Sequence, residues 1–236
     1  MVLVDLLRPR VIVEVGGRDG VSYGAFCQAV MELQLESSCF SISYRQHEDE
    51  NDPLEFESLN GFHNELYGGY SRRIQSSRSE ALALFEDHTI DLLHIAPGTL
   101  YPDAKRSFES WLPKLSDRGV MLLSDTNFHA DQGGLWKLWA ENKDNYPHFE
   151  FVHERGLGVL SIGASPPDRI KQLLEAREPD VSLIREFFRQ QGQRLKVRLE
   201  KDREINTLNR QAQDRGREML ELSAKLEGSQ RHEGVL

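Results

Sequence analysis

Val11-Ile-Val-Glu-Val-Gly-Gly-Arg-Asp-Gly20, running on into Val21-Ser-Tyr-Gly-Ala-Phe-Cys-Gln-Ala-Val30, is the stretch that decides the fold. Its first half is a short apolar run, rich in β-branched residues, that stops at Gly16-Gly17; this is the pattern of a buried parallel strand. Its second half carries Tyr23, Phe26, Cys27, Val30 and Leu33 at helical spacing, which predicts a helix over Val21 to Leu35. A strand passing through glycines into a helix can cradle a nucleotide. Glycine lets the backbone approach a ligand, and the helix start offers N–H groups. The same turn also occurs with no ligand, so the loop alone leaves both readings open.

Outward from this unit the pattern repeats. Strands are predicted at Cys39 to Ser43, Tyr70 to Gln75, Ile90 to Ile95 and Gly119 to Ser124. Two more, Phe149 to His153 and Leu157 to Ile162, are joined by a tight turn containing Gly156. Helices at Ser79 to Phe85, Asp103 to Leu115 and Gly134 to Tyr146 lie between them, and the acidic stretch Gln46 to Asn60 reads as a surface loop. Alternating strands and helices that finish in a hairpin imply a doubly wound α/β sheet with an antiparallel edge pair. Trp111, Trp136 and Trp139 are expected between helices and sheet.

Ala164-Ser-Pro-Pro-Asp168 ends this domain, because consecutive prolines close a sheet segment and open a helix. The organisation expected is a sheet domain over 1–165, a linker with a short helix (Arg169 to Ala176) over 166–180, a coiled coil over 181–228 and a disordered tail over 229–236. Ile205, Leu208, Ala212, Arg215, Met219, Leu222 and Leu226 fall on alternating steps of three and four residues, as an a/d seam requires. Val181, Ile184, Phe188 and Leu195 lie on a seam of different phase, which places a stutter near Leu199. So polar a helix needs a partner, and self-association through 181–228 is the expectation; a solvated helical tail is the alternative.

Composition bounds the rest. The 236 residues hold 29 Lys/Arg against 38 Asp/Glu, a formal charge of −9. Arg189 to Arg217 carries nine Lys/Arg and four Asp/Glu, a net of +5, which leaves −14 on the remainder. No aromatic residue interleaves with those basic charges, so base stacking is unsupported and no nucleic-acid partner is expected. No apolar run approaches the roughly 20 residues that cross a bilayer. The first ten residues are too short and too early charged to read as a secretory signal. Cys27 and Cys39 have neither metal-ligand nor disulfide spacing and are expected to be core thiols, in keeping with a reducing, cytoplasmic setting.

Val13-Glu-Val-Gly16, Gly20-Val-Ser-Tyr23 and Ala25-Phe-Cys-Gln-Ala-Val30 together resemble the first motif of the class I S-adenosylmethionine (SAM) methyltransferases. The subgroup in question occurs in bacterial polysaccharide gene clusters, often with glycosyltransferases and coiled coils. The resemblance continues through Ser79-Glu-Ala81, Ile90-Asp-Leu-Leu-His-Ile95, Phe108-Glu-Ser-Trp111-Leu-Pro-Lys-Leu-Ser-Asp-Arg-Gly119, Asp125-Thr-Asn127, Tyr146-Pro-His-Phe149 and Gly156-Leu-Gly-Val-Leu160. It implies a Rossmann-like, mostly parallel seven-stranded sheet with an antiparallel edge hairpin. If the chain is active, it implies SAM as cofactor, with Glu14, Gly16, Gly17, Gly20 and Ser43 at the cofactor and Asp125 and His94 as the catalytic candidates.

Against that family pattern three positions depart. The second strand normally ends in an acid that holds the ribose hydroxyls of SAM; here it ends in Ser43, which cannot accept two hydrogen bonds as a carboxylate does. The fourth strand normally runs into Asp-Gly-x-His-x-Tyr-Glu; here it runs into Ala96-Pro-Gly-Thr-Leu-Tyr-Pro102. After the fifth strand, the family's His-Asp becomes Ser124-Asp125. Asp125 and Asn127 alone make a poor divalent site, so no metal is expected. These losses imply a degenerate, non-catalytic domain with no cofactor, one that oligomerises through its coil and contacts glycosyltransferases or other polysaccharide-assembly proteins. Two alternatives stand beside it: an active O-methyltransferase acting on a sugar hydroxyl, and a sensor of another nucleotide.

Several polar residues keep two readings. Glu14 either receives the methionine amine or orders the loop. His94 is either a base at a strand end or a satisfied strand histidine. Asp125 either meets a ligand or forms a turn. His129 and Asp131 either shape a pocket mouth or belong to an exposed loop.

Overall fold

A computed structural model describes residues 1–17, 20–44, 61, 63–96, 100–129 and 134–233, with side chains through 217 and at 219. The elements are α1 (Val2–Leu7), β1 (Val11–Val15), α2 (Val21–Glu32), β2 (Ser38–Tyr44), β3 (Ser71–Ser76), α3 (Arg78–Ala83) and β4 (Ile90–Ile95). They continue with α4 (Tyr101–Trp111), β5 (Leu115–Ser124), α5 (Leu135–Asn142), β6 (His148–Phe151), β7 (Leu157–Ser161), α6 (Asp168–Leu174) and α7 (Asp180–Glu233). Single 3-10 turns, Leu112–Lys114 and Lys143–Asn145, follow α4 and α5.

Seven strands form one sheet in the order β3-β2-β1-β4-β5-β7-β6. β1 to β5 pair in parallel, and β7 runs antiparallel between β5 and β6. The predicted α/β sheet with its edge hairpin is therefore what forms. β4 is buried at every position, as expected of a strand covered on both faces. Val13 and Val15 of β1, Met121 and Leu123 of β5 and Leu160 of β7 join Trp111, Leu138 and Trp139 in a continuous core.

Several expected boundaries move, each for a local reason. α2 stops at Glu32 because Gln34 takes a left-handed φ of 50°. α3 starts at Arg78, where Ser77 and Glu80 form a reciprocal capping box. α4 begins at Tyr101 because Pro102 suits a first turn, whose N–H groups need no intrahelical partner. β5 begins at Leu115 rather than Gly119, across an irregularity in its pairing with β4. That irregularity sets Ser116 Oγ 2.6 Å from Asp91.

Trp111 and Trp139 are core residues, whereas Trp136 is only partly buried, its ring 4.8 Å from that of His129. Cys27 and Cys39 are both free and fully buried. The loop read at 46–60 lies outside the described residues.

Sequence reading missed α1. Val4 and Leu7 are buried, and the helix packs against α6, whose Ile170 and Leu173 are also buried. An Arg169–Asp5 ion pair at 2.9 Å joins the two helices. By its contacts the chain divides into two compact units, Met1–Ser182 and Leu183–Leu236. In the second, α7 carries Leu183, Leu195, Ile205, Leu208 and Met219, each about half or more exposed. α7 runs to Glu233, so the tail expected over 229–236 is helical in its described part. Among the described residues, no helix is long and apolar enough to cross a membrane.

Candidate functional site

The sheet order reverses direction between β1 and β4, and in open α/β sheets the crevice beyond that point is where ligands bind. Glu14 of β1 and His94 of β4 are register partners there. Both side chains are buried, and His94 Nδ1 lies 2.8 Å from Glu14 Oε2. The other ring nitrogen, Nε2, lies 2.8 Å from Ser124 Oγ at the end of β5. A carboxylate facing Nδ1 assigns the ring proton to that nitrogen, leaving Nε2 to accept from the serine hydroxyl. Ser22, in the first turn of α2, donates a second hydrogen bond to Glu14 Oε2 at 2.5 Å. Phe26, on the same helix, lays its ring edge-on against His94, with centroids 5.5 Å apart.

Next to this chain lies the Gly-rich loop. Gly16 and Gly20 take left-handed φ angles of 84° and 67°, a region glycine reaches without steric cost. Gly17 is needed for a different reason: a Cβ there would stand 2.2 Å from Glu14 Oε1. That oxygen is buried and has no hydrogen-bond partner. Ser43 Oγ donates to the Gly17 carbonyl at 3.3 Å, so the residue in the ribose-acid position is tied to the loop backbone. Ala96, fully buried at the end of β4, offers no polar side chain at all.

Asp125 takes a left-handed φ of 59° immediately after Ser124. Its carboxylate accepts two hydrogen bonds from the Arg155 guanidinium, at 2.8 and 2.6 Å. Arg155 sits in the β6–β7 turn and stacks 3.6 Å over the Phe128 ring. The Asn127 side chain donates to the Val152 carbonyl, so it too is committed to that turn. Arg155 was not singled out from the sequence; its only signal there is the adjacent Gly156, which marks a turn. Residues 97–99 and Asp131 lie outside the described residues. Among the described residues, no three His, Cys, Asp or Glu side chains converge as a metal site would require.

The glycine conformations and the orphaned Glu14 oxygen suit part of SAM, the loop-bound amine. Among the described residues, Ser43 stands at the ribose position in place of a carboxylate, and Asp125 and His94 are hydrogen-bonded to neighbours. Of these donors, Glu14 Oε1 is the one left open to such a ligand.

Comparison with known proteins agrees with the fold. Residues 13–126 match the family model described as a methyltransferase domain. An uncharacterized protein of Sinorhizobium fredii is 40% identical over 166 residues, which make up 69% of this chain. The match spans 18% of that relative's length. The structure of an SAH-bound methyltransferase from Podospora anserina superposes with a TM-score of 0.51 at 14% identity, covering 68% of this chain and 74% of that one. A cofactor-bound protein from MTB superposes at 0.53 with 10% identity, covering 69% and 77%.

Proposed function

We propose that this methyltransferase-like domain, with its class I α/β sheet, no longer transfers methyl groups and works as a scaffold or interaction module. The observation that carries the reading is the commitment of Asp125, His94 and Ser43 to neighbours inside the fold. Asp125 is clamped by Arg155, His94 bridges Glu14 and Ser124, and Ser43 is held by the loop. Ala96 stands where the family resemblance implies a carboxylate. An acceptor hydroxyl entering such a crevice would meet no unoccupied base among these residues.

Assembly is assigned to the seam over 181–228, whose apolar side chains include Ile205, Leu208 and Met219, all more than half exposed in the single chain. Covering them with a second copy removes apolar surface from water, the usual driving force for helix pairing. The setting proposed is cytoplasmic, in keeping with the free thiols of Cys27 and Cys39, and in bacterial surface-polysaccharide assembly beside glycosyltransferases, a context that rests on the family resemblance.

One observation favours the second reading, an active sugar O-methyltransferase: Glu14 Oε1 is unpartnered beside the Gly16–Gly20 loop, where the amine of SAM would be received. Calorimetric titration with SAM and with S-adenosylhomocysteine separates the two. The scaffold reading expects no heat up to about 1 mM ligand, an affinity weaker than about −4 kcal/mol. Micromolar binding that Glu14→Gln abolishes would overturn it and direct attention to sugar acceptors.

A further inference from the structure

We propose that Ser124, His94 and Glu14 form a nucleophilic relay at the C-terminal ends of β1, β4 and β5, making Ser124 reactive toward short carboxylic esters. The inference stands apart from the proposed function, because loss of methyl transfer neither requires nor excludes it.

The three residues come from three strands and lie on one line of hydrogen bonds, carboxylate to imidazole to hydroxyl, with 2.8 Å at each step. This is the order in which a serine is activated. The carboxylate fixes the imidazole tautomer, and the free ring nitrogen faces the hydroxyl whose proton it will take. Burial follows the same gradient. Glu14 is fully buried and His94 nearly so, while Ser124 is partly exposed at the strand end. Ser22 donates to the same Glu14 oxygen, Oε2, that faces His94, and Phe26 lays its ring edge-on against the imidazole, so both positioning groups are braced against rotation. Directly after Ser124, Asp125 takes a left-handed φ and is held by Arg155.

In the reaction, Ser124 Oγ attacks the ester carbonyl carbon while its proton passes to His94 Nε2. The carbon–oxygen bond to the alcohol breaks, and the departing alkoxide takes that proton from His94. A water molecule then repeats the sequence on the acyl-serine, releasing the carboxylic acid and restoring the serine. Glu14 touches no reacting atom; it is a positioning residue.

The test is labelling of the full chain with a fluorophosphonate probe, mapped by peptide mass spectrometry, together with p-nitrophenyl acetate turnover. We expect label on Ser124, a burst of p-nitrophenol approaching one equivalent, and loss of both in Ser124→Ala, a change of one partly exposed oxygen that leaves the fold intact. His94→Gln should slow labelling by about 100-fold or more, the usual contribution of a general base. Glu14→Gln should lower the maximal labelling rate while leaving the half-saturating probe concentration unchanged, a split that a merely structural role would not produce. Mapping the label on the unsubstituted chain keeps the test decisive even where a buried substitution fails to fold. No label under conditions that modify a control serine hydrolase, or label that persists in Ser124→Ala, would overturn the proposal.

Discussion

Asp91 shows how much one residue of a recognisable motif can do without entering the chemistry. It sits next to Ile90 at the start of β4, fully buried, and accepts from the Arg10 backbone N–H at 2.8 Å, from the Arg10 guanidinium at 3.0 and 3.1 Å, and from Ser116 Oγ at 2.6 Å. Burial alone would raise its carboxyl, but these hydrogen bonds outweigh it and hold the group below its ordinary value. A carboxylate depressed in the folded state stabilises the fold above its unfolded value, near 3.9, and the contribution fades as pH falls through the lower folded value. Asp91→Asn is therefore expected to cost about 1.5–3 kcal/mol, the range for hydrogen bonds to a charged group. Urea midpoints should show the loss at neutral pH and show it shrinking toward pH 2. A variant deficit unchanged across that range would contradict the assignment. The residues of the candidate site obey the same logic of partnership: Glu14 and His94 are 80 positions apart, and only pairing of β1 with β4 joins them.

Among the elements, those whose signal is local were readable from the chain, and those that depend on a neighbour were not. β1, β4 and the core of β5 are continuous apolar runs, and their place in the sheet follows from the alternation with helices. α1 has only six residues, too few to be stable alone; it forms packed against α6 and α2, with Val4 and Leu7 buried. Two substitutions test the elements as packed units. Ser77→Ala removes the capping box of α3 and should lower stability by about 1 kcal/mol in thermal unfolding. Gly158→Ala places a methyl group 2.4 Å from the Trp139 ring, pressing β7 against α5, and should cost about 1–3 kcal/mol by overpacking. An unchanged melting temperature in the second case would mean that Trp139 has room to move.

At the scale of the whole chain, the two compact units divide the work proposed for them. The first has its own core, and the second is formed by α7, on which Leu183, Leu195, Ile205, Leu208 and Met219 are exposed. On the proposed assembly, Ile205→Glu combined with Leu208→Glu puts charge into the seam, and like charges brought together there oppose association. Sedimentation velocity should show an oligomeric species for the unsubstituted chain and monomer mass for the double variant, with the circular-dichroism signal of the sheet unit retained. Equal masses for the two would rule out assembly through the seam.

Sequence alone determined the class of fold, because hydrophobic periodicity and glycine punctuation are local properties written along the chain. It also marked the positions where polar residues are replaced, Ser43, Ala96 and Ser124. It left open what the remaining polar residues do, since Glu14, His94 and Asp125 each admitted two readings. Tertiary structure decided their partners: Arg155 for Asp125, and one hydrogen-bonded line through Glu14, His94 and Ser124. The physical reason is distance along the chain. Hydrogen bonds reach about 3 Å in space but join residues 30 to 80 positions apart, and only strand order brings such residues together.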